Sequence, residues 1–232
     1  MKRHLAALAC FALAMALVSS IAGCGTREGG GDNAGGTNLA TSSGSQGVSS
    51  ETSTGQLGPD GKPVKTLADF PDAQDGAKVE GVIKTDKGDI VIQFFSDSAP
   101  VTVASFIHLA RSGFYNGTRF HRVEKTPVPF VIQGGDPKSR DPNAADVGTG
   151  GPGYYIPAEF NNRPHLAGTV SMARSQSPNS GGSQFFICLS DCPELNGQYT
   201  AFGQVASGMD VVNSIEKNDV IKEVVIRPIN GH

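Results

Sequence analysis

A series of short β-prone runs constrains the fold of this chain more than any other feature of its sequence. The runs are rich in β-branched and aromatic residues and are separated by Gly, Pro, Asn and Asp turn signals. Many short strands of this kind are typical of a β-barrel or a β-sandwich. The predicted strands lie at residues 79–85, 90–95, 120–123, 130–133, 155–160, 169–173, 184–189, 200–205 and 220–227.

Two helical segments interrupt the strands. Pro100 suits a first helical turn, and an apolar face with i, i+3, i+4, i+7 spacing follows it and ends before Gly113. That face contains Val103, Phe106, Ile107 and Ala110. A second helix is predicted over residues 208–218. Two helices on an antiparallel barrel are expected to cover its open ends, which would otherwise expose core.

The amino-terminal residues 1–23 have the pattern of an export signal, with a basic start, an apolar run and a small-residue end. The run is shorter than the roughly 20 residues that cross a bilayer as a helix. The end resembles the lipobox of bacterial lipoproteins, which implies cleavage before Cys24 and lipidation of that residue. The expected location is outside the cytoplasm, anchored to a bacterial membrane; the alternative is an ordinary signal peptide with an incidental cysteine.

The remainder divides into residues 24–77, the lipidated cysteine and a flexible tether, and residues 78–232, a folded domain. The tether is rich in Gly, Ser and Thr and has too few large apolar residues for a core. The alternative for its stretch 64–70 is docking on the domain. Charge is nearly balanced, with 19 Lys and Arg against 22 Asp and Glu. This balance argues against nucleic acid as a partner.

Several patterns that suggest other functions are in the wrong context. A literal G-x-G-x-x-G at residues 148–153 is followed by a predicted strand, whereas a dinucleotide site needs a helix there. The histidine spacings do not suggest a metal site, and no cofactor is expected. Cys188 and Cys192 are compatible with a disulfide in an export compartment or with buried thiols.

Three segments carry the strongest functional signal: Phe-His-Arg-Val at 120–123, Phe-Val-Ile-Gln-Gly-Gly-Asp at 130–136 and Ser-Gln-Phe-Phe-Ile at 183–187. In this order they resemble the cyclophilin family of peptidyl-prolyl cis-trans isomerases. The resemblance continues at residues 148–151, 159–160, 171–173 and 202–203 and spans nearly all of residues 79–229. It implies a mainly β fold, a closed eight-stranded antiparallel β-barrel capped by two α-helices, with a substrate groove on its outer face.

The resemblance also assigns site residues. Arg122 occupies the position of the family's catalytic arginine, and Gln133 that of the glutamine that holds the substrate carbonyl. The proline pocket would contain Phe130, Val131, Phe186 and Leu195; the groove would be lined by Gly148, Ala173, Arg174 and Gln184; and Tyr199 stands where many members place a histidine. The alternatives are a surface salt bridge for Arg122 and core packing for the phenylalanines. Because strand neighbours point to opposite faces, Phe185 and Phe186 cannot both face the groove.

The chain departs from the family at Arg174, where many eukaryotic members have asparagine, and at two further places near the site. Glu194 replaces the tryptophan of cyclosporin-sensitive members, and residues 124–129 add about three residues to the common spacing. The last two departures motivate a rival interpretation, an adaptor that binds proline peptides without catalysis. The leading interpretation is an isomerase, expected to be a monomer, that acts on Xaa-Pro segments of exported unfolded or folding proteins.

Overall fold

The computed structural model describes residues 56–58, 60–71 and 73–229. The predicted signal peptide at 1–23, Cys24 and most of the predicted tether lie outside these residues. Within the described ranges, no helix is both long enough and apolar enough to cross a membrane.

Eight antiparallel strands and two helices make up the described fold. The strands are β1 (Val79–Thr85), β2 (Gly88–Phe94), β3 (Arg122–Val123), β4 (Val131–Gly134), β5 (Thr169–Met172), β6 (Phe185–Cys188), β7 (Thr200–Ser207) and β8 (Glu223–Pro228). The helices are α1 (Pro100–Arg111) and α2 (Met209–Ser214). The predicted strand at 155–160 does not form, because Tyr155 and Ile156 each make only an isolated bridge. The second helix is shorter than predicted and ends before Ile215, whose backbone is extended.

The sheet has the strand order β3-β4-β6-β5-β7-β2-β1-β8 and stays open. The predicted closed barrel is therefore wrong: the eight strands form an open half-barrel, and its edge strands β3 and β8 do not pair. β3 is only two residues long and pairs with β4 along one edge. Beside it, residues 117–120 meet the approach to β8 at residues 218–221 through an isolated bridge between Arg119 and Val220 and four backbone hydrogen bonds of 2.8–2.9 Å. This irregular contact stands where the pairing of β3 with β8 would close a barrel.

Helix α1 packs its apolar face into the concave side of the sheet. Phe106 lies fully buried, 5.0–5.7 Å between ring centroids from a set of aromatic neighbours: Phe94, Tyr115, Phe185 and Phe202. The helix begins at Pro100 without a side-chain cap from the residue before it. Instead, the Glu159 carboxylate accepts from the backbone N–H groups of Val101 and Thr102 at 2.9 and 2.8 Å. A carboxylate at the amino-terminal end of a helix also interacts favourably with the positive end of the helix dipole.

Packed structure begins upstream of Lys78, the predicted start of the domain. Phe70 is only 2% exposed and lies 5.8 and 5.9 Å from the rings of His108 and Tyr154. Val64 is also buried and bridges Tyr155 in a parallel arrangement. The last part of the predicted tether is thus held on the domain, because Phe70 and Val64 remove apolar area from water.

Candidate active site

The central strands bury side chains on both of their faces, and the face away from the main core carries a second hydrophobic cluster. This outer cluster comprises the buried Val131, Phe186, Cys188, Cys192 and Leu195 with the partly buried Phe130, Ala173 and Tyr199. Phe185, by contrast, belongs to the main core. Strand alternation produces this division, as the sequence predicts. The structure therefore brings all four predicted proline-pocket residues together, with Tyr199 beside them.

Phe186 is the most enclosed aromatic ring of the outer cluster. Tyr199 meets it edge-on at 5.5 Å and 85°, and His165 stacks on it at 6.1 Å and 20°. The His165 ring is 1% exposed, with Nε2 3.0 Å from Ser171 Oγ and Nδ1 3.2 Å from Asn196 Oδ1. Burial lowers the pKa of His165, which favours the neutral ring. A neutral ring whose two nitrogens are both hydrogen-bonded therefore supports Phe186 without placing a charge beside it.

A transverse row of side chains connects Arg122 to the outer cluster. Arg122 is directly opposite Gln133 across β3 and β4, and Gln133 is directly opposite Phe186 across β4 and β6. Directly opposed residues project from the same face, and neighbouring strands lie about 4.8 Å apart. The guanidinium and the Phe186 ring therefore stand on one face, two strands apart, with Gln133 between them.

Hydrogen bonds link this row to the next loop. Arg122 Nη1 donates to Gln133 Oε1 at 3.3 Å, and Gln133 Nε2 donates to Gln184 Oε1 at 3.0 Å. Gln184 Nε2 in turn donates to the carbonyls of Gly148 and Gly150, both at 2.9 Å. The predicted catalytic arginine and three predicted groove residues thus form one connected network.

Beside the network lies a groove of about 340 Å³. It is lined by Lys62, Gln133, the loop at 148–155, Ala173, Arg174, Ser175, Ser180, Gly182, Ser183 and Gln184. Five of the predicted substrate-binding residues contribute to this wall. Lys62 was not predicted, because it lies in the sequence assigned to the tether. It reaches the groove where the backbone of residues 63–65 pairs with Tyr155, whose ring centroid is 5.4 Å from Lys62 Nζ.

The glycine-rich loop beside the groove is folded around Asp136. This fully buried carboxylate accepts from the N–H groups of Gly148, Gly150 and Lys138, the last two at 3.3 and 2.8 Å. A Cβ atom on Gly150 would come within 2.0 Å of Asp136 Oδ1, so the close approach requires glycine. In a dinucleotide site, the backbone N–H groups of such a glycine-rich loop would bind phosphate. Here the N–H groups of Gly148 and Gly150 bind Asp136 and hold the groove wall in place.

Arg174 lies across the rim between groove and cluster. Its guanidinium is 4.8 Å from the Tyr199 ring centroid, and its Nε donates to the Gln198 carbonyl at 3.0 Å. The side chain therefore packs over an aromatic ring, and its planar fork is fixed there by cation–π attraction.

The two cysteines are unbonded and lie within the outer cluster, 0% and 1% exposed. A hydrogen bond to Cys192 and burial raise the pKa of the Cys188 thiol. Across the described residues, no group of three His, Cys, Asp or Glu side chains has an arrangement that would hold a metal ion.

One residue missed by the sequence analysis touches the predicted catalytic group. Glu124, the first residue of the predicted insertion, accepts from Arg122 Nε at 2.8 Å. The i, i+2 spacing of the two residues could have indicated this contact, because alternate strand residues share a face. The arrangement as a whole offers an apolar pocket for a small ring and a fixed positive charge beside it, which suits rotation about a peptide bond.

Comparison with known proteins supports this interpretation. A sequence model of the family described as "Cyclophilin type peptidyl-prolyl cis-trans isomerase/CLD" matches residues 81–230. A peptidyl-prolyl cis-trans isomerase of Synechococcus elongatus is 47% identical over 150 residues, which cover 63% of this chain and 95% of that protein. A peptidyl-prolyl cis-trans isomerase of Helicobacter pylori is 40% identical over 171 residues, covering 72% and 98% respectively.

A solved structure has the same fold. The crystal structure of a cyclophilin-type isomerase of Cryptosporidium parvum, determined in the presence of the dipeptide Ala-Pro, superposes with a TM-score of 0.57 and 33% identity. The superposition covers 65% of this chain and 99% of that one. The shared part is thus the isomerase fold, and the additional residues of this chain lie outside it.

Proposed function

The chain belongs to the cyclophilin-type peptidyl-prolyl cis-trans isomerases, and we propose that it catalyses this reaction on exported proteins from a lipid anchor at Cys24. The observation that carries the site assignment is the row Arg122–Gln133–Phe186, which stands on one face of three neighbouring strands. In this assignment Arg122 is the catalytic residue and the outer cluster binds the proline ring.

The chemistry requires no bond to be made or broken. Rotation about the peptide bond is slow because it interrupts resonance, with a barrier of about 18–20 kcal/mol. In the twisted state the prolyl nitrogen regains a lone pair, so a charged donor beside it binds that state more tightly than the flat ground state. Raising the rate from about 0.01 to about 1000 per second lowers the barrier by roughly 7 kcal/mol. Binding and electrostatics can supply a contribution of this size.

Each part of the site has a task in this mechanism. The apolar pocket of Phe186, Val131 and Leu195 holds the proline ring and so fixes one side of the rotating bond. Gln133 is placed to hold the substrate carbonyl while the guanidinium of Arg122 interacts with the nitrogen. The groove beyond Gln184 receives the neighbouring residues of the peptide.

The exported location rests on the sequence of the first 24 residues. The basic start, the apolar run and the small residues before Cys24 support cleavage and lipidation there. A lipid anchor followed by a Gly- and Ser-rich segment would let the domain reach unfolded clients near the membrane.

The activity is tested by NMR exchange of a short Xaa-Pro peptide with the full chain and with Arg122→Ala. Removing one preorganised donor lowers the rate by about 100- to 1000-fold in comparable sites, so most of the acceleration should disappear. Arg227→Ala is the matched control, because Arg227 is an exposed arginine paired with a glutamate, Glu80, at 2.7 Å in another part of the sheet. Equal rates for Arg122→Ala and the unmodified chain would refute the assignment.

The anchor is tested separately by expressing the full chain and Cys24→Ala in a bacterium fed a labelled fatty acid. Label and membrane association are expected for the first chain and not for the second. Label on both chains, or on neither, would contradict lipidation at Cys24.

The rival function is an adaptor that binds proline peptides without turning them over. Glu194 and the segment 124–129 favour it, since both alter the surroundings of the site. The exchange experiment separates the two functions, because an adaptor would broaden the peptide signals by binding but leave its isomerisation rate unchanged.

A further inference from the structure

The backbone of Glu124 is fixed although the segment that it begins departs from the family's usual spacing. Its N–H donates to the Val131 carbonyl at 2.9 Å, and its carbonyl accepts from the Phe130 N–H at 2.9 Å. These two bonds extend the ladder between β3 and β4. The loop at 125–129 therefore begins and ends where the backbone of Glu124 is hydrogen-bonded to both Phe130 and Val131. The backbone position of Glu124 is thus set by the sheet and not by the course of that loop.

The guanidinium of Arg122 donates hydrogen bonds to two side chains, those of Glu124 and Gln133. Arg122 and Glu124 alternate along an extended segment and so project from the same face. The Nε–Oε1 distance to Glu124 is 2.8 Å, and the Nη1–Oε1 distance to Gln133 is 3.3 Å. The shorter, charge-assisted bond is the one to Glu124, so it is the stronger restraint on Arg122.

This arrangement leaves the catalytic edge of the guanidinium available. A guanidinium has five N–H donors, and these two bonds use one on Nε and one on Nη1. The other three have no protein acceptor within the described part of the chain; they belong to the terminal nitrogens and remain available to a bound peptide. Glu124 thus holds the arginine at the nitrogen nearest the chain without occupying the end that meets the substrate.

An arginine this exposed would otherwise be mobile. Its side chain is 44% exposed and that of Glu124 is 42% exposed, so packing alone does not fix either one. A flexible arginine must be ordered when the twisted peptide forms, which reduces the benefit of its charge.

We propose that Glu124 is a positioning residue, which holds Arg122 in the orientation needed to contact the prolyl nitrogen. The proposal rests on the isomerase function and adds to the site a residue from outside the family's common pattern. Glu124 touches no substrate; it acts through Arg122.

The test compares Glu124→Ala and Glu124→Gln with the unmodified full chain, with kcat and KM measured separately for one Xaa-Pro peptide. The alanine variant is expected to lower kcat about tenfold and to change KM less than about twofold, because Arg122 serves the twisted state. In Glu124→Gln the side chain keeps a hydrogen-bond acceptor but loses the charge. The kcat of this variant should therefore lie between those of the unmodified chain and of Glu124→Ala. Glu223→Gln is the matched control: it removes a carboxylate of similar exposure, 46%, that pairs with Lys84 at 2.9 Å.

A double-mutant cycle distinguishes positioning from a merely structural role. If Glu124 acts through Arg122, then Glu124→Ala should have no further effect on kcat once Arg122→Ala is present. A tenfold loss that persists in that background overturns the proposal, as does an unchanged or increased kcat for both Glu124 variants. Equal losses in the Glu223→Gln control would also overturn it.

Failure of the proposed function gives a different result. In that case the unmodified chain itself would not accelerate exchange. If only the Glu124 proposal fails, the unmodified chain is fully active and substitution of Glu124 leaves its kcat unchanged. The melting temperatures of the variants should remain close to that of the unmodified chain, since exposed ion pairs contribute little to folding.

Discussion

Phe185 and Phe186 are sequence neighbours in β6, yet their rings lie in separate hydrophobic clusters on opposite faces of the sheet. Phe185 contacts Phe106 edge-on at 5.6 Å inside the main core. Phe186 instead stands opposite Gln133, in the row that ends at Arg122. One strand therefore supports the fold with one side chain and the site with the next.

This division predicts that two similar substitutions affect different properties, stability in one case and substrate binding in the other. Phe185→Leu should lower the free energy of unfolding by about 1–2 kcal/mol, because it leaves space in a packed core, with little change in KM. Phe186→Leu should raise KM for an Xaa-Pro peptide about tenfold, equivalent to roughly 1.4 kcal/mol, since the ring contacts with Tyr199 and His165 are lost. Urea unfolding and peptide kinetics measure the two quantities; matching KM values for both variants would contradict the prediction.

The cysteines of the outer cluster should differ in reactivity. The pKa of Cys188 is raised by its hydrogen bond to Cys192 and by burial, whereas the bond from Cys188 lowers the pKa of Cys192. Because the thiolate is the reactive form, slow alkylation of the native protein should label Cys192 before Cys188, and more rapidly as the pH rises.

Peptide mass spectrometry after brief iodoacetamide treatment locates the label. An adduct at Cys192 should also obstruct the proline pocket and raise KM, while Cys192→Ser is the control that should escape the inhibition. Preferential labelling of Cys188 would show that Cys188 does not donate the hydrogen bond between the two thiols.

Stability should decrease on mild acidification. Burial lowers the pKa of both His165 and His121 below the ordinary value of 6.5. As the pH falls below about 6.5, the unfolded chain therefore binds protons before the folded chain does, and the free energy of unfolding declines. Above that pH both states hold neutral rings, and the contribution is fully present.

Urea unfolding at several pH values between about 5 and 7.5 measures this dependence. His165→Gln removes one titrating group and should reduce the slope. A slope that is the same in both proteins would mean that His165 does not contribute to it.

The segment before Lys78 should contribute to folding. Phe70 is 2% exposed, so Phe70→Ala is expected to lower the free energy of unfolding by about 3–5 kcal/mol. Leu57→Ala is the control, because Leu57 is 65% exposed in the same segment and should change stability by less than about 0.5 kcal/mol. Similar small effects for the two variants would indicate that the segment does not stabilise the domain.

The sequence predicts most of the strands and both helices because their signals are local. Strand alternation separates Phe185 from Phe186, and an apolar stripe identifies α1; both depend only on near neighbours along the chain. The closed barrel came from the family resemblance, and it is wrong because closure requires β3 and β8 to pair. Whether those distant edges meet depends on the short β3 and on the chain around Arg119, which no local pattern describes.

The sequence by itself determined the family, the alternation of strand faces and the types of residue that the reaction needs. Tertiary structure alone decided that Lys62 reaches the groove and that Phe70 packs on the domain. The physical reason is that such contacts depend on side-chain reach and on chain segments distant in sequence. Their geometry exists only after the sheet has brought those segments together.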